Sequence, residues 1–256
     1  MKNIVITGAN QGIGYHMVEQ LLADGNIVAV LDLDIENLQM LKNKYKDRLL
    51  SCICDMEDTE AVTNTIDKIA ASFGSIDIAV HNACCCTFDS METTNEDVYR
   101  KVFNVNYFGA LRLTKAVIPY MKKQKNGRII FTSSGVGVTG FFRISPYASS
   151  KGAIEALAKC LSIEYQNDGI TFHIIHPPLT RTKSAEPLPI PKEFKADPKT
   201  VGYGLARHLQ SKGFVICHSF GQKVQTKFCY LFPLAFGRFM SKITARCEGV
   251  SNTEVK

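Results

Sequence analysis

Seven short runs of β-branched and aliphatic residues recur along the chain: Ile4–Ile6, Ile27–Leu31, Leu49–Cys54, Ile76–Val80, Arg128–Phe131, Thr171–Ile175 and Phe214–Cys217. They are continuously apolar rather than alternating, as strands buried on both faces require. Stretches of helical period lie between them, over Ile13–Asp24, Ile35–Tyr45, Asp58–Ser72, Asn95–Lys125 and Ala148–Asn167. Gly25, Gly74, Gly127 and Gly169 stand just past four of these, where a left-handed residue can close a helix. The alternation predicts an α/β fold: a doubly wound, mostly parallel seven-stranded sheet with helices on both faces. No repeat, low-complexity stretch or linker divides it, and Pro187–Pro191 lies within a loop. Residues 1–256 are therefore expected to form one domain, with 185–256 supplying a substrate-side loop and a C-terminal extension.

A chain of 256 residues can bury roughly three quarters of its unfolded surface, so disulfides or a structural metal are not needed to hold it together. Charged residues at 21% and hydrophobic ones at 45% exclude disorder. The nine cysteines include the adjacent trio Cys84, Cys85 and Cys86. Their number is odd, no zinc-like spacing occurs, and Met1-Lys2-Asn3 runs straight into a strand without a signal peptide. Reduced thiols in the cytoplasm, with no metal, are the expectation. No apolar run is long enough to span a bilayer. Charge is uneven: residues 199–256 carry 9 Lys/Arg against 2 Asp/Glu, and no acidic residue falls between Lys199 and Cys247. The end of the chain, not its body, makes the protein basic.

The first strand leads directly into Thr7-Gly8-Ala9-Asn10-Gln11-Gly12-Ile13-Gly14 and then a helix. Glycines let backbone approach a pyrophosphate, and the helix N-terminus offers unpaired N–H groups to it. Asp32 closes the second strand, where a carboxylate would accept hydrogen bonds from the adenosine ribose and repel a 2′-phosphate. No cation follows it, so NAD is favoured over NADP; the competing reading is that Asp32 only caps the turn before Asp34. Further on, Ser134 follows a strand, and Tyr147 and Lys151 share a helix face one turn apart. An ammonium beside a phenol is expected to lower its pKa towards the working range of an acid–base catalyst.

These motifs resemble those of the short-chain dehydrogenase/reductases, over residues 1 to about 185. Thr7-Gly8-x-x-x-Gly12-x-Gly14 is similar to the family's cofactor loop, and Asp55 to its adenine-contacting residue. His81-Asn82-Ala83-Cys84 stands where Asn-Asn-Ala-Gly is usual, and Pro177-Pro178-Leu179-Thr180-Arg181-Thr182 where Pro-Gly-x-x-x-Thr is. Asn106, Ser134, Tyr147 and Lys151 match the catalytic tetrad. The resemblance implies a Rossmann-type fold. It implies cofactor binding by Gly8, Asn10, Gln11, Gly12, Ile13, Gly14, Asp32, Asp55, Asn82, Tyr147, Lys151, Pro177 and Thr182. It further implies that Ser134 binds the substrate oxygen, Tyr147 exchanges its proton, Lys151 holds the nicotinamide ribose and Asn106 positions a water on the proton path. A homodimer or tetramer formed through the Asn95–Lys125 and Ala148–Asn167 helices is also implied. His81, Cys84 and Pro178 depart from the pattern without removing a tetrad member. The Gly-Gly signature that usually follows the last strand is missing.

The implied function is NAD(H)-dependent interconversion of a secondary alcohol and a ketone. By the resemblance, the loop carrying Phe141 and Phe142, between Ser134 and Tyr147, lines the substrate pocket, which implies an apolar substrate such as a steroid-like or long-chain molecule. Two rivals stand beside it: a non-catalytic dinucleotide sensor or scaffold, and a membrane-peripheral lipid ketone reductase using NADPH. Pro233–Arg246 reads as a basic amphipathic helix, with Phe236, Phe239, Met240 and Ile243 on one face and Arg238, Lys242 and Arg246 on another. It is compatible with packing over the cleft or with weak contact to a membrane surface through 224–247. Nothing resembles a nucleic-acid-binding motif. The cysteine trio reads as small side chains filling a turn, and His173 and His176 as core or loop histidines.

Overall fold

The computed structural model describes residues 1–188 and 190–247, the last three as backbone only. In chain order the elements are β1 (Asn3–Thr7), α1 (Gly12–Ala23), β2 (Ile27–Asp32), α2 (Gln39–Tyr45), β3 (Leu49–Ile53), α3 (Thr59–Phe73), β4 (Ile78–His81), α4 (Glu96–Phe103), α5 (Gly109–Gln124), β5 (Gly127–Thr132), the single turn α6 (Val136–Thr139), α7 (Ser145–Glu164), β6 (Ile170–Ile175), α8 (Pro198–His208), β7 (Val215–Ile216), α9 (Phe220–Leu231) and α10 (Pro233–Cys247). The strands form one sheet in the order β3-β2-β1-β4-β5-β6-β7. Every pairing among the described residues is parallel, which sharpens the expected mostly parallel sheet.

Alternation along each buried strand explains the two helical layers. Val5, Ala29, Leu31, Ala79, Ile129 and Phe131 face one core, with residues of α3, α5 and α7. Ile4, Ile6, Val28, Val30, Val80 and Ile130 face a second, with residues of α1 and α8. Because both sides are covered, the strands read as unbroken apolar runs.

Two expected features are corrected. The stretch Asn95–Lys125 is not one helix: a π turn over Asn104–Phe108 joins α4 to α5 and carries Asn106. Gly127 does not cap it. Lys125 takes the left-handed conformation instead, and Gly127 opens β5, where a Cβ would strike the Met121 side chain. Sequence reading also passed over α8, although Asp197 caps it by accepting from the Thr200 N–H and Pro198 occupies its first turn.

Candidate active site

The sheet order reverses direction between β1 and β4, and in such folds ligands bind in the crevice beyond the strand ends there. A cleft of about 620 Å³ occupies that position. Gly8, Gln11, Gly12, Ile13, Gly14, Asp32, Asp55, Asn82, Ser134, Tyr147, Lys151, Pro177 and Thr182 all line it. Sequence positions up to 174 apart (Gly8 to Thr182) thus converge on one cavity.

At the glycine-loop end, Gly8 has φ +65, and a Cβ there would come within 2.6 Å of the Ala83 backbone N. Only glycine permits both the turn and this approach of the β1 and β4 loops. The Asn82 Nδ2 donates to the Gly8 carbonyl at 2.6 Å, locking the two loops together. Asp32 lines the cleft and also braces the turn: Oδ2 accepts from the Asn10 N–H and Oδ1 from the Leu33 N–H, each at 2.8 Å. The turn reading of Asp32 describes these hydrogen bonds, and each carboxylate oxygen keeps a further lone pair. Asn10 is placed differently from the expectation. Its side chain donates to Asp34 at 3.1 Å and accepts from the Asn37 N–H at 3.0 Å, and it does not line the cleft. It holds the loop rather than facing a ligand.

At the opposite end, the Lys151 ammonium is fully buried and donates to the Thr132 carbonyl at 2.7 Å. It lies 5.4 Å from the Tyr147 ring centroid. Burial lowers the Lys151 pKa and pushes the Tyr147 phenol well above its ordinary range, with only a side-chain hydrogen bond to Ser134 opposing. The expected lowering by the neighbouring lysine is thus corrected, because desolvation dominates at this buried phenol. Asn106 does not line the cleft either. Its Nδ2 donates to the Cys85 carbonyl at 3.0 Å and to Ser150 Oγ at 2.9 Å, while its Oδ1 accepts from the Cys85 N–H at 2.7 Å. Its side chain thereby clamps the cysteine loop to α7. Burial pushes the Cys85 and Cys86 thiols up, which fits the space-filling reading of these two rather than a reactive one.

His81, the departure from the family pattern, sits at the end of β4. Thr7 Oγ1 accepts from the Asn82 and Ala83 N–H groups, each at 3.1 Å, so its single proton must go to His81 Nδ1, also at 3.1 Å. The proton of the neutral ring is then on Nε2, which lies near the Val105 and Asn106 backbone but makes no hydrogen bond of good geometry. Burial, followed by the Lys151 charge, pushes the His81 pKa down to about 3, so the ring is neutral at physiological pH.

Sequence reading missed a buried network beside Lys151. One turn beyond it, Glu155 accepts from Ser133 Oγ at 2.9 Å and Tyr230 Oη at 2.8 Å, and pairs with His176 Nε2 at 2.8 Å. These hydrogen bonds and the histidine hold the Glu155 carboxyl below its usual range despite burial. Tyr230 belongs to α9, so the network ties the tail to the active-site helix. Leu179, Leu188, Phe141, Cys229, Phe236 and Met240 give the substrate end of the cleft an apolar wall. Phe236 and Met240 come from α10, which lies so close to α6 that a Cβ at Gly237 would come within 2.5 Å of the Thr139 carbonyl oxygen. The tail packs over the cleft. Lys195 fastens the intervening loop, donating to the Ala185 and Leu188 carbonyls at 2.7 and 2.9 Å. Among the described residues no helix is long and apolar enough to cross a membrane, and no group of acidic, His and Cys side chains is arranged to hold a metal ion.

The profile of the short chain dehydrogenases matches residues 2–192. A fatty acyl-CoA reductase of Acinetobacter baylyi is 31% identical over 198 residues, 75% of this chain and 66% of that protein. The chain thus spans slightly under two thirds of that relative. The oxidoreductase UcpA of Salmonella typhimurium is 35% identical over 191 residues, 72% of each. Among solved structures, a short-chain dehydrogenase from Streptomyces avermitilis superposes with TM-score 0.81 at 24% identity, covering 96% of this chain and 97% of that one. An NAD+-bound xylitol dehydrogenase gives 0.72 at 26%, covering 81% and 91%. ElxO with NADP bound gives 0.75 at 24%, covering 85% and 94%.

Proposed function

The chain belongs to the short-chain dehydrogenase family, and from that premise we propose that it interconverts an apolar secondary alcohol and its ketone with NAD(H) as the preferred dinucleotide. The carrying observation is the convergence of Ser134, Tyr147 and Lys151 on the cleft that also holds the glycine loop and Asp32. The apolar wall from the tail supports the substrate class, as does the name of the Acinetobacter relative, a fatty acyl-CoA reductase. The reading takes 1–256 as one nucleotide-binding domain, with 185–256 serving the substrate side.

The cleft fits a dinucleotide on its own geometry. The Gly8 and Gly12 backbones leave a cradle without side chains, and the N-terminus of α1 points N–H groups into it. Gly8, Gln11, Gly12, Ile13 and Gly14 would hold the pyrophosphate side. Asp32, Asp55 and Asn82 would hold the adenosine side, and Pro177, Thr182 and Lys151 the nicotinamide side. When bound, the nicotinamide supplies or accepts the hydride. Ser134 orients the substrate oxygen and stabilises charge developing on it. Tyr147 gives its proton to that oxygen in reduction and takes it back in oxidation. Asn106 acts at one remove, by holding the cysteine loop against α7.

Oxidation of NADH and NADPH against ketones ranging from short polar to long-chain and steroidal tests the reading. Turnover with NADH on the apolar members supports it; silence across the panel with NADH still bound would transfer the weight to a non-catalytic sensor. For the cofactor, Asp32→Ser removes a charged acceptor and a source of repulsion. The kcat/KM ratio of NADH to NADPH is expected to fall about 10- to 100-fold, and an unchanged ratio would remove Asp32 from the preference.

A further inference from the structure

The two tail helices bury one side each, Thr226 and Cys229 on α9 and Gly237, Ser241 and Thr244 on α10. Their other sides are apolar and open to solvent. Phe220, Val224, Phe228 and Leu231 recur at helical spacing along α9, and Phe220 is 81% exposed. Phe239 and Ile243 continue the stripe on α10. A groove of about 540 Å³ opens along this face between Val224, Phe228, Phe232, Ala235, Phe236 and Phe239. Cations border it: Lys223 and Lys227 lie one turn apart beside the α9 stripe, and Arg238 and Lys242 beside Phe239, all exposed. No acidic residue interrupts the chain from Lys199 to Cys247.

We infer that this face docks on an anionic lipid bilayer, with α9 and α10 lying in the headgroup plane and the aromatic stripe in the acyl boundary. An exposed apolar patch of this size marks an interaction surface, and its charge selects the occupant. A second copy of the chain would bring the same four cations against each other. Anionic headgroups attract them while the acyl boundary takes up the phenylalanines. The face also adjoins the substrate end of the cleft, because Gln225 and Phe236 line both cavities. Resting on the function proposed above, an apolar ketone dissolved in the bilayer would enter beside Phe236 without crossing bulk water.

Flotation of the full chain with phosphatidylcholine vesicles, with and without phosphatidylglycerol, tests the docking. Binding is expected only with phosphatidylglycerol and is expected to weaken in high salt. Reversing the four cations (K223E, K227E, R238E and K242E together) is expected to lower the partition at least about 100-fold. Phe232→Ser with Phe239→Ser, outside the cleft lining, is expected to lower it at least about 10-fold while thermal unfolding and NADH binding stay unchanged. Absence of binding to either vesicle overturns the inference. So does lipid-independent self-association that the two serines abolish, which would assign the face to a second copy. If the oxidoreductase reading fails instead, no ketone is turned over in solution, yet the vesicle result stands. The delivery route itself is overturned if charge reversal leaves turnover of a vesicle-dissolved ketone unchanged.

Discussion

Replacing Tyr147 by phenylalanine is expected to lower kcat for ketone reduction about 10²- to 10⁴-fold, the contribution of a positioned general acid. The ring keeps its packing, so NADH binding followed by fluorescence should change little. The pH dependence separates the two directions of reaction. Burial holds the Tyr147 phenol well above its ordinary range, so the proton stays in place through neutral pH. Reduction, which consumes that proton, should be level there and decline only as pH rises through the elevated value. Oxidation, which needs the phenolate, should climb with pH over the same interval. A variant that retains full turnover in both directions would remove Tyr147 from the chemistry and with it the central role proposed for the cleft.

Glu155→Leu is expected to cost about 3–5 kcal/mol of unfolding free energy, because it leaves a buried histidine and two hydroxyls without their shared acceptor. Urea unfolding followed by circular dichroism measures it. Glu155→Gln keeps one acceptor oxygen and should lose less. Since the Glu155 carboxyl is held below its usual range, its contribution is present above the unfolded-state value and disappears as pH falls through the folded one. The difference between wild type and Glu155→Gln should therefore narrow on acidification. Constant separation down to strongly acid pH would mean that packing, not the carboxylate charge, carries the network. Tyr230 links this stability to the cleft: loosening Glu155 should also raise KM for apolar ketones, since α9 and α10 supply their wall.

The strands were legible because burial on both faces demands unbroken apolar runs, and Ile4–Ile6 or Ile27–Leu31 admit few other readings. The cleft residues were legible for a related reason: a glycine turn, a strand-end carboxylate and Tyr147 four residues before Lys151 are local patterns. What could not be read depends on distant placement. Glu155, His176 and Tyr230 are 21 and 75 residues apart when counted from Glu155, and only the return of the tail brings them together. The pairing of Tyr147 with Lys151 was visible, but the direction of the phenol's shift rests on burial that no spacing encodes. Asn10 and Asn106 sit in recognisable motifs, yet their side chains are spent on the loops around them. The interruption at Asn104–Phe108 is invisible in a helical period that continues on both sides of it.

The strand order carries a consequence for how the chain acquires its shape. β1 is the third strand of the sheet and is flanked by β2 and β4, both of which follow it in the chain. Its second neighbour, residues 78–81, is separated from it by more than 70 residues, so its hydrogen-bonding edge on that side waits unpaired while the intervening segments are synthesised. β7 pairs with β6 through two residues only, and the helices that wall the cleft come after it. Closing such long loops precedes any gain from them and makes assembly slow. The early strands can therefore pair before α9 and α10 have emerged, so these helices are expected to seat on a sheet that is already formed.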